Sequence, residues 1–229
     1  MAQELDTKNS PKSQALFFPK ESKYDRTVPN ACIRSALFAV VKKGQRKIFK
    51  ERKIFSQPGY DIYFSGEQLD QLDLDVFLNN KHKFAYHEMD KTYKLTMAEA
   101  LTICDLKRGA NTCKALKDSV KRLNFAMLEI RCTNGDFFLG HLLGGGAWQE
   151  HEERFHISFD SNIMQLFTSN QYTRLNIGQR KDLKTNLAQW LHAYWSSHKK
   201  IYNILAKHLH NLCGSKAEMK EFRRMLRRA

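Results

Sequence analysis

Apolar residues recur along this chain at two different periods, and the switches between them predict its elements. Met219, Phe222, Met225 and Leu226 share one face of a helix, while Lys216, Lys220, Arg223 and Arg227 fall on the other side, flanked by Arg224 and Arg228. Ser215 followed by Glu218 reads as a capping box that opens this helix. Before it the pattern predicts a long helix over 179–197, carrying Leu183, Leu187, Trp190, Leu191, Tyr194 and Trp195. A second helix is expected over 201–212, then a turn at Cys213-Gly214-Ser215.

The middle of the chain repeats this arrangement. Thr96 with Glu99 is another capping box, starting a short helix to about Cys104. The segment 107–110 turns the chain, and Asn111 or Thr112 is expected to cap a longer helix. Its apolar stripe is Leu116, Val120, Leu123 and Met127, with Lys114, Lys117 and Lys121 together on the other side. Alternating runs at 127–132 and 137–143 flank Thr133-Asn134-Gly135-Asp136, and Asn-Gly between two such runs signals a hairpin. Gly144 to Gly146 reads as a turn, and 154–159 as a further strand. Two helices joined by a turn and followed by a hairpin are the winged-helix arrangement, whose second helix enters the major groove.

Nearer the start, 33–41 is an apolar run expected to be a buried helix. Segments 53–56 and 61–64 flank Gln57-Pro58-Gly59, a hairpin signal. Ser65 with Gln68 is expected to cap a helix whose Leu69, Leu72, Val76 and Phe77 share a face. The expectation is a mainly α fold with small β-hairpins (α+β), built as two tandem winged-helix domains. Residues 1–27 read as a flexible tail with an apolar patch at Leu16-Phe17-Phe18. Residues 28–156 would form the first winged-helix domain, for dimerisation and DNA contact. Residues 157–229 would form the second, for DNA recognition, with its wing absent.

Charge turns this architecture toward a partner. The 229 residues carry a net charge of +14 and a pI near 9.6, which favours a polyanion. From Arg174 onward thirteen Lys/Arg face three Asp/Glu, so +10 of the +14 lies there. The five cysteines are scattered without a C-x-x-C pair, as in a reducing compartment without structural zinc. No apolar run nears the roughly 18 residues a membrane span needs. A bacterial cytoplasmic location is therefore expected, with no membrane partner, where the abundant polyanions are DNA and RNA.

Enzymatic motifs fail on inspection. Gly144-Gly145-Gly146 lacks the Gly-Lys-Ser/Thr continuation of a phosphate loop. Asp70, Asp73 and Asp75 suit the dipole of a helix start better than a magnesium site. His208-Leu209-His210 matches the His-hydrophobe-His motif of nicking enzymes, but on a helix alternate residues diverge by roughly 200°. No tyrosine follows it either. Phe137-Phe138 could stack on single strands, and a core role is favoured for both rings. No catalytic residue, cofactor or metal is expected.

Several stretches also resemble a known family, the TrfA-type plasmid replication initiators. They are Ile33-Arg34-Ser35-Ala36-Leu37-Phe38, the segments 53–56, 63–69 and 73–78, then 172–175, 179–181 and 187–198, continued by 212–216 and 222–226. The resemblance implies two winged-helix domains that bind tandem repeats (iterons) at a plasmid origin in double-stranded DNA. It further implies origin opening, loading of the host replicative helicase alongside the host initiator, and homodimers less active than monomers. A winged-helix transcriptional repressor is the alternative, with a nicking enzyme behind it. Lys216, Lys220, Arg223, Arg224, Arg227 and Arg228 are the expected C-terminal DNA face, and Lys114, Lys117 and Lys121 the other.

Overall fold

The computed structural model describes residues 18–42, 44–85, 92–133, 135, 137–159, 161–167, 171–200 and 202–229. Strand β1 (Asp25–Pro29) leads into a single helical turn, α1 (Asn30–Ile33), and the short strand β2 (Phe38–Ala39). The helix expected over 33–41 therefore does not form. Its backbone is used elsewhere: Ala36 donates to the Phe55 carbonyl (2.8 Å), Gln57 to that of Arg34 (2.9 Å) and Val40 to that of Cys213 (2.7 Å). An unbroken apolar run fits a buried strand or a helix equally well, and only these partners decide.

Next come β3 (Ile48–Ile54) and β4 (Tyr60–Glu67), joined through the Pro58-Gly59 turn as expected, then β5 (Leu69–Asp70) and α2 (Gln71–Phe84). Helix α2 is capped by Asp70 and Asp73, which exchange hydrogen bonds with each other's backbone. Ser65 does not cap it. That side chain lies in β4, where its Oγ accepts from the Glu51 backbone N–H. Strand β6 (Tyr93–Thr96) is followed by α3 (Met97–Ile103), with the Thr96/Glu99 capping box in place, and α4 (Ala110–Phe125). Gly109 rather than Asn111 or Thr112 precedes the first turn of α4.

Strands β7 (Met127–Cys132) and β8 (Phe137–His141) form the expected hairpin, of whose turn Asn134 and Asp136 lie outside the described residues. Strands β9 (Gly145–Gln149) and β10 (Arg154–Ser158) follow, then a 3₁₀ helix at Ser161–Phe167 and β11 (Tyr172–Asn176). Gly145 and Gly146 are thus strand residues, not a turn. A Cβ on Gly146 would lie 3.0 Å from the Val120 side chain, so its bareness lets β9 press against α4. The chain ends with α5 (Ile177–Asp182), α6 (Asn186–Ser196), α7 (Ala206–Leu212) and α8 (Met219–Leu226).

Two expected long helices are shorter than their patterns. The one expected over 179–197 breaks at 183–185, because Thr185 is extended and its Oγ1 caps α6 by accepting from the Ala188 backbone N–H. The one expected from Ile201 starts at Ala206. Ahead of it the Tyr202 hydroxyl is engaged by Tyr194 (2.6 Å) and Gln57 (2.7 Å).

The fold is α+β, with more sheet than the expected hairpins supply. A four-stranded antiparallel sheet runs β3-β4-β7-β8, a three-stranded one β6-β10-β9, and β1 pairs with β11. The inner face of the larger sheet buries Ile62, Phe64, Leu128, Ile130 and Phe138 beneath α4. Met127 and Phe137 leave the positions expected of them. Both lie on the outer face, 41% and 64% exposed, because strand alternation overrides the helical stripe and splits the Phe137-Phe138 pair. Phe18, expected within the flexible tail, packs edge-on against Phe84, Phe159 and Phe167. Residues 1–17 of that tail lie outside the described residues. Among the described residues no helix is long and apolar enough to cross a membrane.

A second, smaller cluster of Leu187, Trp190, Tyr194, Leu209, Leu212 and Phe222 fills the space among α6, α7 and α8. Arg180 joins it to the rest. This side chain is 2% exposed, and its Nε donates to Asp75 (2.6 Å), Nη1 to the Gln189 carbonyl (2.9 Å) and Nη2 to Gln71 Oε1 (3.0 Å). Arg180→Ala leaves the partly exposed Asp75 carboxylate and the buried Gln71 amide oxygen without their donor, and is expected to cost about 2–3 kcal/mol. Urea unfolding with hydrogen exchange checks it: protection should fall first in α5 to α8, and an unchanged midpoint would show that the junction is held by other contacts.

Candidate nucleic-acid interface

Helix α8 is built as its apolar stripe requires. Phe222 is fully buried and meets the His210 ring edge-on at 4.8 Å, with Met219, Met225 and Leu226 half-buried beside it. That packing turns the opposite side outward, and Lys220, Arg223, Arg224, Arg227 and Arg228 are all exposed. Lys216 is exposed too, but it lies in the turn before the helix. The expected Ser215/Glu218 capping box is absent. Glu218 occupies the cap position without a side-chain bond, and the Ser215 Oγ accepts from Ala217 (3.3 Å) instead.

The turn ahead of α8 is fixed by contact rather than by capping. Gly214 has φ +63°, and a Cβ there would lie 2.8 Å from the Ala39 Cβ and 3.2 Å from that of Ala36. His210 and the Ala217 carbonyl meet at 2.7 Å across the same turn. The angle between α7 and α8 is therefore set by docking on the β2 segment, far away in sequence.

Within α8 only Arg224 is neutralised, by Glu221 at 2.8 Å, and that contact holds the Glu221 carboxyl below its usual range. Burial lowers the Lys216 ammonium below the ordinary lysine value, helped by the positive charges of Lys47 and Arg52. On α4, Lys114 and Lys121 are exposed. Lys117 is committed: its ammonium lies 4.0 Å from the Trp148 ring centre and 3.6 Å from Glu150, clamping α4 to β9. The three α4 lysines and the α8 cations stand on separate elements. The main packing partners of α4 are α2, α3, β4, β8 and β9, whereas α8 rests on α6 and α7.

The candidate catalytic groups are drawn into structure. Asp73 receives Arg122 (2.8 Å) and Ser119 (2.6 Å), and Asp70 is bound by Arg46. His208 meets Phe55 edge-on at 5.4 Å while His210 faces Phe222, so the two rings point to different neighbours. Other exposed cations escape a helix-based reading: Lys107 and Arg108 in the turn between α3 and α4, and Lys47, Lys50 and Arg52 in and before β3. Their one signal is a strand, Ile48–Ile54, unusually rich in positive charge.

The segment holding α8 decides the comparison with known proteins. Residues 147–229 match the TrfA protein family. This TrfA-like segment runs from within β9 through α8 and so contains the whole α5–α8 unit. The fold of the chain is similar to domains 2 and 3 of RctB in two crystal structures. One has a TM-score of 0.58 at 12% identity, covering 88% of this chain and 82% of that one. The other has a TM-score of 0.57 at 14% identity, covering 86% and 80%. No curated protein matches the chain in sequence.

Gly214→Ala is expected to destabilise the TrfA-like segment by roughly 2–4 kcal/mol, summing a left-handed Cβ penalty and overpacking against Ala39. Thermal unfolding followed by tryptophan fluorescence checks this, since Trp190 and Trp195 both lie in that cluster. A wild-type melting curve would show that the turn relaxes freely.

Proposed function

We propose that this chain is a plasmid replication initiator that binds tandem repeats in duplex DNA through α8. The observation that carries the reading is a helix whose buried Phe222 stripe turns Lys220, Arg223 and the Glu221-paired Arg224 outward, with Arg227 and Arg228 exposed in the turn after it, inside the segment that matches TrfA. Helices α7 and α8 act as a helix–turn–helix with α8 as the reading helix, and α3 and α4 as a second unit. The three-stranded sheet β6-β10-β9 beside α4 supports a winged-helix reading of the first unit. Residues 28–156 and 157–229 are then tandem winged-helix domains.

One or two of the arginines on and just after α8 read guanine edges, and the other cations there, with Lys114 and Lys121, hold phosphates. The protein acts by binding and not by catalysis, which the engagement of Asp70, Asp73, His208 and His210 in packing supports. Binding at the origin opens the adjacent duplex and recruits the host helicase with the host initiator. A homodimer is supported by Met127, Phe137 and Leu139, exposed on the outer face of the four-stranded sheet beside its edge strand β8.

Two measurements test this reading. On a duplex carrying the tandem repeats of the replicon that encodes the chain, binding near 0.15 M salt should exceed that on scrambled duplex by about a thousandfold or more. Equal binding to both would remove sequence reading. Arg223→Ala with Arg227→Ala should weaken binding and flatten the dependence of log affinity on log salt by about 2. An unaltered dependence would take α8 out of the interface.

A further inference from the structure

Strand β3 belongs to the first half of the chain, but the residues on either side of it touch the second. Just past its end, Phe55 meets His208 of α7 edge-on. Lys47, just before the strand, and Arg52, within it, are positive charges that act on Lys216, immediately ahead of α8. Lys42 lines the same cleft as Lys216, together with Gln45, Asn186 and Met225. The segments on either side of β3 thus meet the α7–α8 pair, one at Phe55 and the other at Lys42 and Gln45.

A bulge aims its charges. Phe49 pairs with Gly66 and Arg52 with Phe64, so Lys50 and Glu51 together stand opposite Ser65. Glu51 takes up the extra residue at φ +45°. In an unbroken strand Phe49 and Arg52 would face opposite sides of the sheet. With the bulge they share a side, and the Arg52 guanidinium lies 5.5 Å from the Phe49 ring centre. Lys50 and Glu51 go with Ser65 to the other face, which takes the one local acid away from Arg52.

Most carboxylates nearby are already in use, and Glu221, on which the Lys42 charge acts, pairs with Arg224. Asp61 pairs with Lys53 (2.7 Å), while Asp73 (3.1 Å), Asp70 and Glu67 (3.8 Å) surround Arg46. Among the described residues, Lys42, Lys47, Arg52 and Lys216 form no ion pair within the chain. Like charges crowded with few counter-charges raise the energy of the free protein, and a row of phosphates relieves it.

We propose that Lys42, Lys47 and Arg52 join Lys216 as a phosphate-backbone contact beside α8, so that β3 sets the position of the reading helix on duplex DNA without reading sequence. This rests on α8 being the duplex-binding helix. The bulge is the device that makes the contact, and the first half of the chain thereby serves the DNA interface of the second.

The test uses the full chain and a labelled 30-base-pair duplex of mixed sequence, with anisotropy measured between roughly 0.05 and 0.2 M salt. Lys47→Ala with Arg52→Ala should weaken binding roughly ten- to hundredfold at 0.1 M and flatten the salt dependence by about 2, alike on every sequence. Arg52→Lys in the Lys47→Ala background should recover part of the loss. Lys50→Ala, on the other face, should change nothing. All these side chains are exposed, and an unchanged thermal melt confirms that each variant is folded. A wild-type salt dependence in the double variant, while Arg223→Ala/Arg227→Ala flattens it, overturns this proposal and leaves the α8 reading standing. Wild-type behaviour in both double variants overturns both. A loss for Lys50→Ala equal to that for the β3 pair also overturns it, since general surface charge would then suffice.

Discussion

The buried guanidinium of Arg180 is the constraint on which the arrangement of this molecule depends. A charge with 2% exposure is stable only when its donors are met, and here Nε, Nη1 and Nη2 all find acceptors. Those acceptors come from both halves: Asp75 and Gln71 from α2, and the Gln189 carbonyl from α6. The Asp75 carboxyl is raised by burial, with the Arg180 charge working against that rise. Any displacement of α5 and α6 from α2 would leave two charges short of partners. The geometry is accordingly far stiffer than apolar contact between the two clusters would make it.

Other polar links act in parallel. Arg34 donates to the Ser197 Oγ at 2.9 Å and also to the Ser197 carbonyl, and Gln57 reaches Tyr194, His198 and Tyr202 from the tip of the β3–β4 hairpin. The turn at Gly214 sits directly on Ala36 and Ala39. Together these fix where α8 stands, and hence where its cations point. A reading helix that must meet phosphates and base edges at once needs such rigidity, since a misplacement of a bond length or so forfeits hydrogen bonds. The first half of the chain is therefore a mount for the second as well as a surface of its own. Burying an arginine is a costly way to join two units, and it gives orientation that a greasy contact would not.

Much of this was legible in the residues. The α8 stripe, the Thr96/Glu99 cap, the two hairpins and the concentration of charge after Arg174 all depend on neighbours within a few positions, and all survive in the structure. The errors cluster where distant partners intervene. Ile33 to Val41 is apolar enough for a helix, but Phe55 and Cys213 claim its backbone. Ser65/Gln68 and Ser215/Glu218 have the spacing of capping boxes, yet Ser65 is held in a sheet and Ser215 in a turn. Lys117 lies on the helix face that its spacing gives it, and Trp148 and Glu150 then take it out of use.

The chain alone thus determined the local grammar: which segments are amphipathic, where charge accumulates, and that α8 presents cations on one side. Those properties follow from side-chain chemistry and short-range periodicity, which act before distant contacts exist. Tertiary structure decided which of the cations remain free, how the α7–α8 turn is angled, and that a bulge in β3 puts Arg52 on the same sheet face as Phe49. These rest on burial and on pairing between residues distant in sequence, more than a hundred positions apart for Asp75 and Arg180, and no local pattern encodes such distances.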